Sequence, residues 1–433
     1  MRSSLLLGWA VALLAPSALT ACGADDTSNS NGGAGGAASG GTNAGGNAGA
    51  MQAGGAKQAG GATNTGGVVN SGGSANSGGA TNSGGLTNSG GSGNPQDGPP
   101  AGYPDGHASV PSAGRAEDVS SPTSVIGSGT QASCTGDAFV SAVAKGGIIT
   151  FNCGPDPVTI VLTSPAKVFN DKGTKLVIDG GNKVTLSGGG KTRILYMATC
   201  DKAQVYPPGP GDCNTNPGVE LVVQNLTFVD GSAKGIADEN NRGGGGAIYA
   251  QGGRLKVVNS RFFNNVCDEL GSDVGGGAIR KLDYLVAAGA GPARPAWVVN
   301  STFGGRVDLG NSCANGGALS SIGVSWNIIN SLFSDNTAVG HGANAGEGGN
   351  GGAIYNDGNE IVLNITSSLI ENNRANEGGS AVFFVSNNRT GSVRIQDSIT
   401  RNNPRGTFET AGLPGFYVLA KQAPEVVNSQ ILR

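Results

Sequence analysis

From residue 220 onward the chain repeats itself, and this repeat restricts its fold more than any other feature. An Asn-Ser-x-Phe-like step recurs as Asn225-Leu226-Thr227-Phe228, Asn259-Ser260-Arg261-Phe262, Asn300-Ser301-Thr302-Phe303 and Asn330-Ser331-Leu332-Phe333. Ser367-Ser368-Leu369-Ile370, Asp397-Ser398-Ile399-Thr400 and Asn428-Ser429-Gln430-Ile431 continue it, at spacings of 34, 41, 30, 37, 30 and 31 residues. Units of this size belong to stacked architectures, in which each unit buries its apolar face only against its neighbours. Four residues before the step stand Leu221, Leu255, Ala296, Trp326, Leu363, Val393 and Pro424; two before it stand Val223, Val257, Val298, Ile328, Ile365, Ile395 and Val426. Three after it come Phe228, Phe262, Phe303, Phe333, Ile370, Thr400 and Ile431.

Positions two apart in a strand share a face, so the first two columns point to one side. If the units stack in register, like residues pile into continuous internal columns. Asp in place of Val257 or Phe303 is then expected to ruin folding, whereas Lys256→Asp, on the opposite face, is expected to be tolerated. The aligned Asn residues fall at the bend after the strand, where their amides are expected to satisfy one another as a ladder. A second motif lies between the steps: Gly245-Gly246-Ala247-Ile248, Gly276-Gly277-Ala278-Ile279, Gly316-Gly317-Ala318-Leu319 and Gly351-Gly352-Ala353-Ile354, with a looser copy at Gly378-Gly379-Ser380-Ala381-Val382. Gly permits a tight turn, Ala a close approach, and the aliphatic residue enters the core.

Together, Gly-Gly-Ala-Ile and Phe-x-x-Asn (Phe262 to Asn265, Phe333 to Asn336) resemble the repeats of polymorphic outer-membrane proteins. More broadly they resemble the right-handed parallel β-helix, or pectate-lyase-like, superfamily. The opening segment, Gly146-Gly147-Ile148-Ile149-Thr150-Phe151-Asn152-Cys153-Gly154-Pro155 through Ile178-Asp179-Gly180-Gly181, is similar to the first coils of bacterial β-helix proteins. The resemblance covers residues 133–433 and implies an all-β, right-handed single-stranded parallel β-helix. It says little about activity, because this fold hosts lyases, hydrolases, adhesins and coat proteins. Polymorphic outer-membrane proteins end in a membrane barrel, whereas here Arg433 follows directly on a repeat. Before the first strands, Ala138-Phe139-Val140-Ser141-Ala142-Val143-Ala144 predicts a short amphipathic helix, stopped at Gly146-Gly147, that caps the open end of the core.

The N-terminal quarter differs in kind. Arg2 followed by the apolar run Leu5–Ala15 is too short to span a bilayer, so residues 1–21 read as a signal peptide. Leu19-Thr20-Ala21-Cys22 resembles the lipobox of bacterial lipoproteins, which implies lipidation of Cys22 and a membrane held through that lipid. Gly23 in place of Asp favours the outer membrane, facing either the surface or the periplasm. Residues 22–115 are Gly-, Asn- and Ser-rich; hexapeptide repeats such as Thr81-Asn82-Ser83-Gly84-Gly85 lack an inward aliphatic column, so they read as a disordered tether. The β-helix domain is expected over 116–433.

Of seven cysteines, six remain after Cys22: Cys134, Cys153, Cys200, Cys213, Cys267 and Cys313. An even number in an exported chain suggests disulfides. Sequence alone leaves their connectivity open; neighbours along the proposed fold are Cys134–Cys153, Cys200–Cys213 and Cys267–Cys313. No Cys-x-x-Cys occurs and the histidines are His107 and His341, so no metal site is expected. A net charge of −3 without a Lys/Arg cluster argues against nucleic acid.

Outward positions test for catalysis. Three before the step they are Val222, Lys256, Trp297, Asn327, Asn364, Arg394 and Glu425; one before, Gln224, Val258, Val299, Ile329, Thr366, Gln396 and Val427. No paired carboxylates stack on adjacent units, as glycoside chemistry requires within about 5–10 Å. Acids lie instead in loops. Asp230, Asp238, Asp268, Asp273 and Asp308 form a candidate Ca²⁺- or sugar-binding group, although solvated loop charge is the commoner role. Trp297, Val258, Val299 and Ile329 form an apolar strip suited to a glycan or partner, with the 282–295 insertion as its expected cover. The resulting expectation is a lipid-anchored envelope protein serving adhesion, glycan contact or envelope structure, with no cofactor; the alternative is a polysaccharide lyase or glycosidase using the loop acids.

Overall fold

The computed structural model describes residues 99–205, 218–236, 243–283, 295–343 and 346–433. Cys22, the lipobox, most of the tether, Cys213 and Asp238 lie outside them. The described chain is all-β apart from short helices, with strands assembled into parallel sheets of 17, 8 and 3 strands.

In the first sheet each repeat unit supplies one strand segment before the step and one after it. The residues before the step pair from Glu220–Val229 through Arg254–Val258, Ala296–Val299, Trp326–Ile329, Val362–Thr366 and Ser392–Gln396 to Glu425–Val427. The residues after it pair from Arg261–Phe263 through Thr302–Gly304, Leu332–Ser334, Leu369–Glu371 and Ile399–Arg401 to Gln430–Ile431. The sequence alignment is the observed register: Val257 pairs with Val298, Val298 with Ile328, and Ile328 with Ile365. Phe228, Phe262, Phe303 and Phe333 stack face to face with centroids 4.9, 4.6 and 4.5 Å apart, near the spacing of neighbouring strands. These columns, with the Ile, Leu and Val of the Gly-Gly-Ala-Ile motif, make one continuous core.

The Gly-Gly-Ala-Ile motif opens strands of the second sheet, from Ile248–Gln251 through Ile279–Leu282, Leu319–Ile322 and Ile354–Gly358 to Val382–Ser386, and Phe416–Leu419 extends the sheet without it. Gly276 shows why glycine is required: its φ is +75°, and a Cβ would lie 2.0 Å from the Ile279 carbonyl oxygen. The third sheet joins Ser312–Cys313, Thr337–Ala338 and Arg374–Ala375.

Helix α1, Gly136–Lys145, forms where expected. The Thr135 side chain accepts a hydrogen bond from the Ala138 N–H, and Gly146 ends the helix at φ +76°. Its Phe139, Ala142 and Val143 are buried in the main core beside the first strands. Disulfides Cys134–Cys153 and Cys267–Cys313 form. The second joins adjacent units, from Cys267 within the long 41-residue unit to Cys313 in the next, with Cα atoms 4.8 Å apart.

The asparagine ladder is not where the step places it. The step residues Asn225, Asn259, Asn300, Asn330 and Asn428 have φ of +55°, +46°, +45°, +51° and +46°. Asn is used there because it tolerates the left-handed conformation. One amide bond joins this column, from Asn259 Nδ2 to Asn225 Oδ1 at 3.2 Å. The continuous ladder is Asn265–Asn311–Asn336–Asn373–Asn403, buried, each Nδ2 donating to the next Oδ1 at 2.9, 2.9, 2.9 and 3.1 Å. A serine ladder accompanies the step: the Ser260, Ser301, Ser331, Ser368 and Ser398 N–H groups each donate to the next serine hydroxyl.

Candidate functional site

The outward face of the first sheet is where a site built on stacked strands would lie. The only carboxylate the sequence places in its outward columns, Glu425, is ion-paired with Arg394. The register adds a second, because Asp179 pairs with Gln224 across the preceding strands. It lines a cleft of about 340 Å³ with Asp156 and Lys183. Its carboxylate is already engaged, however, by the Gly181 N–H at 2.7 Å, Gln224 Nε2 at 2.7 Å and Asn225 Nδ2 at 2.9 Å. Lys183 donates to the Pro155 carbonyl. The cleft therefore pairs no two free acids at suitable spacing.

Much of this face is covered, and by a segment whose composition assigns it elsewhere. The tether is expected to run to residue 115, yet the chain from Pro99 onward is laid across the sheet. Gly102 N–H donates to Thr302 Oγ1 at 2.9 Å, Tyr103 N–H to the Asn330 carbonyl at 2.9 Å, and His107 N–H to Ser367 Oγ at 3.2 Å. The chain then turns back. Ala108 and Val110 pack on Val258, Val299 and Ile329, beside Trp297. Gly114 lies so close that a Cβ would come within 2.7 Å of Trp297 Cε3. The apolar strip is thus covered by this strap; residues 284–294, most of the insertion expected to cover it, lie outside the described residues.

The strap ends on charge. Glu117 sits between Lys175, at 2.9 Å, and Lys256, with Glu220 bridging Lys175 and Arg254 behind them. Burial works against the Glu117 carboxylate, but hydrogen bonds and charge from the two lysines outweigh it and hold its pKa below the usual value. Lys256 is 4% exposed at its side chain. The expectation that Lys256→Asp is harmless is therefore corrected: Asp there would place a buried like charge against the partly buried Glu117.

Among the described residues the loop acids Asp230, Asp268, Asp273 and Asp308 form no cluster. Asp230 follows the strand Glu220–Val229, where burial raises its pKa against a hydrogen bond from Asn264. Asp268 accepts the Gly235 N–H at 2.8 Å. The Asp273 carbonyl, not its carboxylate, receives Arg280. Asp308 is exposed and paired with Arg306 at 2.6 Å. Among the described residues no three His, Cys, Asp or Glu side chains are placed to hold a metal ion. His341 is exposed in its glycine loop, its Nδ1 3.5 Å from Asn376 Nδ2.

A further outward column, on the second sheet, is absent from the expectations drawn from sequence. In register run Tyr196, Tyr249, Arg280, Ser320, Tyr355, Phe383 and Tyr417. Arg193 lies over Tyr249, 4.7 Å from the ring centroid, and Tyr355–Phe383–Tyr417 stack at 5.1 Å intervals. Asp357, next to this column, has its pKa raised by burial despite hydrogen bonds from Asn387 Nδ2 at 2.9 Å and Tyr355 Oη at 3.3 Å. The signal that could have found it is the residue following each Gly-Gly-Ala-Ile motif, which is aromatic in three of the five copies. The rings turn their faces toward each other along the stack, which removes those faces from contact with a ligand. Compared with protein-family models, curated proteins and solved structures, the chain matches none.

Proposed function

We propose that the protein is a lipid-anchored cell-envelope protein whose right-handed, single-stranded parallel β-helix serves adhesion, glycan contact or envelope structure rather than catalysis. The right hand is the one that parallel strand crossovers adopt in about 98% of cases. The observation that carries the reading is the first sheet's outer face, which among the described residues has no pair of free carboxylates and is occupied in part by the chain's own residues 99–118. Disulfides Cys134–Cys153 and Cys267–Cys313 support an oxidising compartment, in keeping with export. The Leu-Thr-Ala-Cys resemblance supports attachment at Cys22, with the outer membrane as the proposed destination. Polysaccharide or a cell-surface glycan is the proposed partner, and no cofactor is invoked.

Two experiments test this. Globomycin treatment, or Cys22→Ser, is expected to abolish lipid labelling and membrane fractionation; unchanged fractionation would refute the anchor. The purified protein, offered pectin, alginate and similar polymers with and without Ca²⁺, is expected to release no product. Turnover that disappears in Asp268→Asn or Asp273→Asn would replace this reading with a polysaccharide lyase or glycosidase.

A further inference from the structure

The strap is held in an unusual way for a surface segment. Two outward amide side chains of the first sheet each grip one strap residue through both its N–H and its carbonyl. Asn330 Oδ1 accepts the Ala108 N–H at 2.8 Å while its Nδ2 donates to the Ala108 carbonyl at 3.0 Å. Gln224 repeats the arrangement on Glu117, accepting its N–H at 2.8 Å and donating to its carbonyl at 3.0 Å. A primary amide has an acceptor and two donors in one plane, so it pairs with an extended residue as a neighbouring strand does. Such pairing reads main chain, not side chains.

Side-chain selectivity comes from what lies between and beyond the two clamps. Between them, the apolar strip admits only small or slender residues, which is why Ala108, Val110 and Gly114 face it. At the second clamp, Lys256 and Lys175 require a carboxylate. Main-chain clamps, a shallow apolar floor and a cationic end together make a recognition groove for an extended peptide with an acidic residue toward its C-terminal end. Charge complementarity and the close fit of Gly114 on Trp297 identify the matching sequence as this chain's own.

We propose that the outer face of the first sheet is a peptide-binding groove whose ligand is the 99–118 segment of this protein, bound in cis within one molecule and exchangeable in trans with the same segment of a second copy. Exchange needs release of residues 99–118 alone, because the chain beyond them is pinned separately: Thr123 donates to the Ile148 carbonyl through both N–H and Oγ1. Between the two attachments Asp118 folds back on Ser120, outside the groove. Swapping an identical element between copies is a low-cost route to association, since the same interactions form again in the new pairing.

The test uses the full chain and a fluorescent synthetic peptide of residues 99–118, followed by anisotropy. Glu117→Lys in the protein sets three cations together and should free the groove, so that it binds the peptide at least tenfold more tightly than the wild type does. Gly114→Leu, which collides with Trp297, should do the same by a different route. Adding Asn330→Leu to either variant should weaken peptide binding at least tenfold, and a peptide carrying Glu117→Lys should not bind. Variants that keep the native circular dichroism spectrum yet bind no better than wild type would overturn the proposal. Should both variants misfold, the wild-type chain decides. Excess peptide should speed hydrogen exchange at the Ala108 and Glu117 amides as the resident strap is displaced, and unchanged exchange would count against the groove.

Discussion

Two asparagine columns run through the same stack, and the repeat keeps them for opposite reasons. The column at the step, including Asn259, Asn300 and Asn330, sits where the backbone turns left-handed, and Ser367 and Asp397 occupy the same conformation at φ +50° and +49°. What that position needs in every unit is a backbone shape, to which Asn330 adds its grip on Ala108. The column from Asn265 to Asn403 is buried, and its amides leave nothing over: Asn336 Nδ2 serves Asn373 Oδ1 at 2.9 Å and the Phe303 carbonyl at 3.0 Å, while its Oδ1 receives Asn311 Nδ2 at 2.9 Å. An apolar or hydroxyl side chain cannot replace it there, because only a primary amide both donates twice and accepts along the stack. A repeated residue thus marks either a conformation or a bonding chain, and substitution separates the two.

The hardest break lies just inside the ladder. Phe303 is sandwiched between Phe262 and Phe333, so Phe303→Asp places a carboxylate where burial costs several kcal/mol, and no cooperative thermal transition should remain. Asn336→Leu keeps the number of side-chain heavy atoms but leaves Asn311 Nδ2, Asn373 Oδ1 and the Phe303 carbonyl each short of a partner, at an expected cost of about 3 kcal/mol in chemical denaturation. At the step the same residue type should matter less: Asn300→Val should cost about 1–2 kcal/mol for left-handed strain, whereas Asn300→Gly should stay within about 0.5 kcal/mol of wild type. Equal effects at Asn336 and Asn300 would erase the distinction between the columns.

The smallest expected effect concerns pH, outside both columns. Because Lys256 and Lys175 hold the Glu117 pKa below its usual value, strap docking gains stability that is present above the ordinary carboxylate range. It is lost as pH falls through the lowered folded value. Proteolysis between residues 99 and 118 should therefore accelerate in acid before the stack itself opens, and Glu117→Gln should remove that dependence.

The interior was legible in the sequence because its period is the structure's own. Every residue of the Val257–Val298–Ile328 column could be aligned from the Asn-Ser step, since parallel stacking makes sequence register and spatial register the same. The buried ladder was half visible. Asn265 and Asn336 follow their Phe by three residues, but the extra residues after Phe303 displace its member to Asn311, which no fixed spacing finds. The strip of Trp297, Val258, Val299 and Ile329 could be predicted, but its cover could not, because Gly102, Ala108 and Gly114 look like the tether that precedes them.

By itself the sequence determined which side chains face inward and that successive units lie in register, because burial of apolar groups imposes a period that composition cannot disguise. Only the tertiary structure decided what lies against the outside. The strap's attachment depends on single contacts between residues more than a hundred positions apart, such as Glu117 with Lys256 and Ala108 with Asn330. Contacts made once leave no period to read, and small residues bound through their main chain carry no side-chain signature of where they bind.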